Sequence, residues 1–240
     1  MRTNCFDSNT NLVACFPMLQ RFGFLIASLL GISSVFVQAQ ASPGPVPSHP
    51  TSTPYSGDLS IFEYPERDAR LQPQRILSLL GVRAGSSVAD IGAGGGWLAV
   101  RAAERVGSDG VVFAEDINPE AIKAIRYRSE REHLPQVRAV LGLPDDPKLP
   151  PHSIDAVVIL KTYHEIAHPK LLLHNLIPAL KPGAKLGIID RNGNGANHGL
   201  DEAIVVRELK DAGFRQVARY DFTKADGEDY FLIFEQSDGT

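Results

Sequence analysis

The sequence predicts an α/β fold in which helices cover both faces of a mostly parallel sheet. Short, almost continuously apolar segments alternate along the chain with segments whose apolar residues recur at helical spacing. Continuous apolar strands are typical of sheets buried on both faces. A glycine-rich stretch directly follows the first of these strands. Because parallel sheets bind ligands beyond the carboxyl ends of their strands, the loops at those ends are expected to carry the function.

The alternation assigns the elements in order. Helical spacing first covers residues 68–80, with Pro73 expected to open the second part of that segment. Strands are then predicted at residues 87–91, 110–116, 137–141, 154–160, 184–190, 216–222 and 230–234. Helices are predicted between them at residues 97–106, after a cap at Asn118, at 169–180 and at 201–212.

Composition excludes several classes of protein. The chain has 240 residues, of which 43% are hydrophobic and 22% charged, as in globular proteins and unlike disordered or collagen-like chains. A net charge of -4 lacks the basic excess of a dedicated nucleic-acid binder, so no nucleic-acid partner is expected. Cys5 and Cys15 both lie near the N-terminus. The main body therefore has no disulfide framework, zinc ribbon or thiol nucleophile.

The N-terminus resembles a targeting segment. Arg21 precedes an apolar run at residues 22–37, and small residues follow it, which predicts a signal peptide at 1–39 or an uncleaved membrane tether. Met18 offers a second start just before the run. The chain is thus expected to be exported, to the periplasm or outside the cell. Residues 40–60 are rich in proline and serine and predict a linker with nothing to bury, before a folded domain at 61–237.

The glycine loop and one acid indicate a nucleoside-containing ligand. Gly92, Gly94 and Gly96 follow the first strand, where missing Cβ atoms let the backbone approach a ligand. A dinucleotide fingerprint would need glycine at position 97, which is Trp97. Asp116 ends the second strand, where a carboxylate accepts hydrogen bonds from ribose hydroxyls. The alternative is a glycine-rich turn beside a surface acid.

With these features the chain resembles the class I S-adenosylmethionine-dependent methyltransferases. VADIGAGGGWLAV (88–100) resembles their first motif and VVFAEDINPEAI (111–122) their second. Residues 149–166, 176–190 and 209–217 resemble their fourth-strand region, "LKPGG" turn with fifth strand, and last helix. The resemblance implies a three-layer, Rossmann-like, doubly wound sheet of seven strands, mostly parallel with an antiparallel last strand. It also implies S-adenosylmethionine as cofactor.

The resemblance also implies roles for individual residues. Asp90 would lie near the methionine amino group, and Asp116, followed by Ile117, would bind the ribose, with Glu115 as the alternative acid. Asp145 or Asp146 would contact the adenine, unless these acids only form a turn. The remaining implied contacts to the methionine and adenosine portions come from the loop residues Gly92, Ala93, Gly94 and Gly96.

The segment after the fourth strand carries the candidate catalytic residues. In the family that this chain resembles, this segment faces the transferred methyl group. His164 is the candidate general base because the ordinary pKa of histidine lies near neutrality, and Tyr163 or Glu165 could orient a substrate. Alternatively, His164 only packs against the loop. The Asn/Asp-Pro-Pro-Tyr loop of amino-methylating enzymes is absent. A small-molecule acceptor is therefore expected.

Two other functions remain open from the sequence. His164 to His168 spell H-E-x-x-H, the pattern of a zinc hydrolase, but Pro169 and a strand-forming segment upstream disfavour the helix that this motif needs, so no metal is expected. An exported, non-catalytic binding protein of the same fold would explain why a chain with a signal peptide resembles enzymes whose cofactor is made in the cytoplasm. The intact glycines and Asp116 disfavour that alternative.

Overall fold

One mixed sheet of seven strands organises the part of the chain that the computed structural model describes, residues 47–237. Its order is β3-β2-β1-β4-β5-β7-β6. The strands are β1 (Ser87–Ile91), β2 (Val111–Asp116), β3 (Val137–Leu141), β4 (Ile154–Leu160), β5 (Leu180–Asp190), β6 (Phe214–Tyr220) and β7 (Tyr230–Gln236). Strands β1 to β5 pair in parallel, and β7 runs antiparallel to both β5 and β6. The predicted fold class, including the antiparallel last strand, is confirmed.

Helices connect the strands and cover both faces. The α-helices are α1 (Arg67–Leu71), α2 (Pro73–Leu79), α3 (Trp97–Val106), α4 (Pro119–Arg131), α5 (Pro169–Leu176) and α6 (Glu202–Asp211). Local sequence explains their starts: the Asn118 side chain accepts from the backbone N–H of Glu120 at 2.9 Å, and Pro119 occupies the first position of α4. Short 3₁₀ turns lie at Leu59–Phe62, Tyr163–Glu165, Ile177–Ala179 and Phe222–Asp226.

Side chains that alternate along the strands build two apolar cores. In β4, Val157 and Ile159 belong to one core, whereas Val158 and Leu160 belong to the other. The first core includes residues of α5 and α6, and the second includes residues of α1 to α4. The sheet is therefore the middle of three layers, as the resemblance implies.

The boundaries of several predicted elements are wrong. The helix predicted at 169–180 ends at Leu176, since Pro178 lacks the N–H that a continuing helix requires, and β5 begins at Leu180 rather than at 184. Leu180 pairs with Ile154, and a register shift then accommodates the Pro-Gly pair that suggests a turn. The strand predicted at 216–222 instead spans Phe214–Tyr220, and Phe222 begins a 3₁₀ turn.

The expectation that the linker has nothing to bury is wrong for its described part. His49 and Ser52 are buried. His49 Nδ1 lies 3.0 Å from Glu208 Oε1, and Ser48 Oγ donates to the same oxygen at 2.6 Å. Hydrogen bonds to α6, which a search for apolar periodicity does not detect, therefore attach this segment to the domain.

The predicted signal peptide at 1–39 lies outside the described residues, so this assignment and the domain boundary at 61 stay predictions. Among the described helices, none is both long and apolar enough to cross a bilayer.

Helix α5 offers a matched pair of substitutions for the packing. Leu173 is fully buried in the first core, whereas Leu171 on the same helix is 38% exposed. We expect Leu173→Ala to lower the free energy of unfolding by about 2–5 kcal/mol, because a buried cavity remains, and Leu171→Ala to lower it by less than about 1 kcal/mol. Urea denaturation measures both values. Equal losses would contradict the packing described for α5.

Candidate functional site

A cavity of about 460 Å³ lies at the carboxyl ends of β1, β2 and β4. Its size falls within the range of about 300–1,000 Å³ that is typical of cofactor sites. The predicted site residues that line it are Asp90, Gly92, Ala93, Gly94, Asp116, Ile117 and Glu165. The structure thus brings together the acid that ends β1, the glycine loop, the acid that ends β2 and one residue that follows β4.

Close packing explains two of the glycines. Gly92 has a φ of +71°, and a Cβ there would lie 2.3 Å from Thr162 Cγ2, so the loop can follow β4 this closely only with glycine. Gly96 is not among the residues that line the cavity, contrary to its implied role. It precedes α3 with a φ of +79°, and a Cβ there would lie 3.3 Å from Ile125 of α4. Gly96 therefore permits helix packing, and Gly95 lines the cavity instead.

Asp116 fixes the glycine loop to the end of β2. Its Oδ2 accepts from the Gly94 N–H at 2.8 Å, and its Oδ1 accepts from the Asn118 N–H at 2.8 Å. A carboxylate has about four lone-pair positions, so both oxygens can accept further hydrogen bonds from a ligand. Asp116 is half-buried, which leaves it open to the cavity.

Two buried acids lie beside Asp116, and each has one carboxylate oxygen without a hydrogen-bond partner. Burial, and then the charge of Asp116, raises the pKa of Asp90 to about 7. The same two causes raise the pKa of Glu115 to about 8. Asp90 Oδ2 and Glu115 Oε1 are buried without a hydrogen-bond partner. Since unpaired buried oxygens are costly, this edge of the cavity favours a ligand with an ammonium group and hydroxyl donors, which S-adenosylmethionine provides. The residues present therefore fit this cofactor.

The far end of the cavity differs from the prediction. Ile117 is 39% exposed beside Asp116 and offers an apolar surface to a flat ring. Asp145 is not among the lining residues, and its backbone oxygen accepts from Asn175 Nδ2 at 2.8 Å. Asp146 pairs with Lys148 in the same turn. The lining residues from this loop are the apolar Leu143 and Pro144, and neither Asp145 nor Asp146 is among the lining residues.

The three candidate catalytic residues lie in different surroundings. Tyr163 is fully buried, and its hydroxyl donates to Glu208 Oε2 at 3.1 Å, away from the cavity lining. It therefore holds α6 and does not orient a substrate. Glu165 lines the cavity, and burial raises its pKa to about 7. His164 is 3% exposed and lies behind Glu165, with its Nε2 3.9 Å from Glu165 Oε1.

The H-E-x-x-H segment does not form the helix that its motif requires. Tyr163–Glu165 is a 3₁₀ turn, and α5 begins only at Pro169. His168 precedes α5 with a φ of -126° and a ψ of 62°, outside the helical region. His164 and His168 therefore do not lie one turn apart on a single helix face, which is the geometry on which the zinc-hydrolase motif depends.

Several residues that face the cavity have no clear sequence signal. Thr51 to Tyr55, Leu59 and Phe62 form one wall of it, although their proline- and serine-rich neighbourhood suggests a linker. Arg67 is buried with its guanidinium 3.9 Å from the Trp97 ring centroid. In this segment, the spacing of the apolar residues Leu59 and Phe62, three positions apart, is the sequence feature that could have indicated burial.

The raised pKa of Glu115 gives a testable pH dependence. The folded protein retains a proton on Glu115 between its ordinary pKa of 4.5 and about 8, whereas the unfolded chain releases it, so this contribution to stability is lost as the pH rises through that window. We compare the free energy of unfolding of Glu115→Gln with that of the parent. As the pH rises from 5 to 8, we expect this difference to shift by roughly 2–4 kcal/mol in favour of Glu115→Gln. Urea denaturation at both pH values measures this difference. The exposed Glu120→Gln is the control, and a pH-independent effect at position 115 would contradict the burial argument.

Comparisons with known proteins agree with this geometry. Residues 88–183 match a family profile described as a methyltransferase domain. An uncharacterized methyltransferase of Mycobacterium tuberculosis is 33% identical over 124 residues, which are 52% of this chain and 47% of that protein. A ubiquinone/menaquinone biosynthesis C-methyltransferase of Pseudomonas putida is 30% identical over 122 residues, which are 50% of this chain and 48% of that protein. The match thus spans about half the length of these relatives.

Solved structures share the fold. A S-adenosylmethionine-dependent methyltransferase from Aquifex aeolicus superimposes with a TM-score of 0.67 at 24% identity, over 75% of this chain and 98% of that one. A [4+2]-cyclase superimposes with a TM-score of 0.60 at 15% identity, over 82% and 89%. These likenesses concern the fold alone. Residues 88–183 therefore match a methyltransferase domain, and the described part of the chain has the fold of S-adenosylmethionine-dependent methyltransferases.

Proposed function

We propose that this protein transfers a methyl group from S-adenosylmethionine to a small-molecule acceptor. The observation that carries the proposal is the set of acids Asp90, Glu115 and Asp116 around the glycine loop, two of them with unpartnered buried oxygens. Bound there, S-adenosylmethionine would supply an electrophilic methyl group on its sulfonium; an in-line attack by the acceptor would form a bond to the methyl carbon as the carbon–sulfur bond breaks and the demethylated thioether leaves. Such a displacement needs little covalent help, so the protein contributes mainly by positioning the reactants and excluding water.

The positions of individual residues support a protein that positions the reactants and excludes water. Asp116 holds the loop through Gly94 and keeps lone pairs for ribose hydroxyls. Asp90, ionised by an approaching ammonium group, stabilises that group through a charge-assisted hydrogen bond. The wall formed by Thr51 to Tyr55, Leu59 and Phe62 limits the access of water to the same cavity.

The limited volume of the cavity and the net charge of the chain both support a small acceptor. One cavity of about 460 Å³ has to hold both reactants, and the N-terminal wall narrows it. The net charge of -4 gives no attraction to nucleic acid. One relative is named as a C-methyltransferase of ubiquinone and menaquinone biosynthesis, which is consistent with a small organic acceptor.

Cofactor binding tests the proposal directly. We expect Asp116→Asn to weaken the affinity of the full chain for S-adenosylmethionine by about 10–150-fold, because a hydrogen bond to a charged group contributes about 1.5–3 kcal/mol. Calorimetric titration with S-adenosylmethionine and with its demethylated product measures both affinities. Asp146→Asn is the matched control, because Asp146 pairs with Lys148 and is not among the lining residues. A folded chain that binds neither compound would contradict the proposal and favour a non-catalytic binding protein.

We also propose that residues 1–39 export the protein, either as a cleaved signal or as a membrane tether. This rests on the apolar run at 22–37, with Arg21 before it and no further lysine or arginine before Arg67. N-terminal sequencing of the protein from its native source tests the proposal. A start near Gln40 supports cleavage, and a start at Met1 or Met18 in the membrane fraction supports a tether. An intact N-terminus in the soluble cytoplasmic fraction would contradict export.

A further inference from the structure

Three side chains that can bind a metal ion meet beside the cavity, which one of them, Glu165, also lines. One ligand atom from each of His164, Glu165 and His198 lies within 4.8 Å of the other two. His164 and Glu165 follow β4, and His198 lies in the loop that follows β5. Because β4 and β5 are parallel neighbours, their carboxyl ends bring these loops together. Two imidazoles and one carboxylate form a donor set that first-row transition metals prefer.

His164 is held in the orientation of a metal ligand. Its Nδ1 lies 2.9 and 2.8 Å from the two carboxylate oxygens of Asp190, and its backbone N–H donates to Asp190 Oδ2 at 3.2 Å. Asp190 Oδ1 also accepts from the Arg191 N–H at 2.9 Å. Because Asp190 engages Nδ1, Nε2 is the ring nitrogen of His164 that is left for a metal ion. A carboxylate behind a histidine is the usual outer-shell arrangement of metal sites.

The side chains of Glu165 and His198 lie near His164 Nε2. Glu165 Oε1 lies 3.9 Å from His164 Nε2, which is beyond hydrogen-bond distance. The His198 and His164 rings stand edge to face with their centroids 5.8 Å apart. Glu165 also lines the cavity, so the space among the three side chains adjoins the space for an acceptor.

The backbone of His198 is built into the structure although its side chain is exposed. Its N–H donates to Ser52 Oγ at 2.7 Å, and its carbonyl oxygen accepts from Arg191 Nε at 2.6 Å. Ser52 in turn donates to the Gly195 carbonyl oxygen at 2.7 Å. These contacts hold His198 at a φ of 58°, an uncommon value for a residue other than glycine. The loop therefore presents this histidine at a fixed place.

We propose that His164 Nε2, Glu165 and His198 bind one divalent first-row transition-metal ion, with Asp190 as the positioning residue behind His164. Zinc ligands at about 2.0–2.2 Å from the ion are separated by roughly 3.3 Å in a tetrahedron, so the three atoms need to approach by at most about 1.5 Å. Rotation of the exposed His198 side chain supplies this movement. Three protein ligands leave at least one coordination position open toward the cavity.

This site changes the role of His164. A metal ion on Nε2 occupies the lone pair that a general base uses, so the proposal replaces the prediction that His164 removes a proton from the acceptor. An oxygen, nitrogen or sulfur atom of an acceptor could take the open coordination position, and the ion would lower the pKa of that atom. The proposal goes beyond the proposed function, and metal binding can be measured without cofactor or acceptor.

Metal titration of the full chain tests the proposal. After removal of metal with a chelator, we expect Co²⁺ to bind with a stoichiometry of one, with a visible d–d spectrum, and Zn²⁺ to bind with the same stoichiometry by calorimetry. His198→Ala should weaken both affinities at least tenfold, and its exposed side chain makes a loss of folding easy to exclude by circular dichroism. His168→Ala is the matched control, since His168 belongs to the same sequence motif and not to the cluster.

The outcomes separate the alternatives. Affinity lost in His198→Ala and kept in His168→Ala supports the site. Affinity lost in His168→Ala and kept in His198→Ala, equal affinity in all three proteins, or no binding of Zn²⁺ or Co²⁺ below millimolar concentration each overturns it. Titration of the parent chain with S-adenosylmethionine separates this inference from the proposed function, because cofactor binding by a parent chain that binds no metal would refute this inference alone.

Discussion

The burial of acidic side chains at the carboxyl ends of β1 and β2 is the constraint on which the site depends. Asp90 and Glu115 are 2% exposed, and Asp116 lies beside both. Burial disfavours the charged forms of Asp90 and Glu115, and the nearby charge of Asp116 adds to this effect, so the pKa values of both acids rise into the neutral range. Such an arrangement opposes stability in the ligand-free protein. It therefore needs both a well-packed sheet beneath it and a ligand that carries positive charge and hydrogen-bond donors.

The N-terminal segment depends on a second acid, Glu208 of α6. Its two oxygens accept from Ser48, Tyr163 and His49, so one buried carboxylate joins this segment, the turn after β4 and the helix. These hydrogen bonds lower the pKa of Glu208 against the opposing effect of burial, which is the larger single cause. The N-terminal wall of the cavity is thus attached to α6, and Ser52 extends the same attachment to the loop that carries His198.

The sequence predicts the sheet well because each buried strand is a continuous apolar run, and β1, β3 and β4 have the predicted bounds. The family resemblance also points to Asp90, and the position at the end of β2 points to Asp116; both residues line the cavity. Prediction from the sequence fails where a residue's role depends on contacts distant in sequence. Asp190 ends β5, and nothing in the neighbouring sequence indicates that it supports His164. Tyr163 is predicted to contact a substrate, but in the structure its hydroxyl donates to Glu208. Asp145 fails for the opposite reason, because an acid in a turn suits the turn as well as a ligand.

The strand order explains why cofactor and acceptor residues occupy one edge of the sheet. The order reverses between β1 and β4, which are neighbours although two strands separate them in sequence. After β1 the chain enters α3 in one core, and after β4 it enters α5 in the other. The two connections therefore leave the sheet in opposite directions and open a crevice between them. The acids of β1 and β2 lie on one side of this crevice, and Glu165 with His164 lies on the other, so a methyl donor and an acceptor held there would face each other.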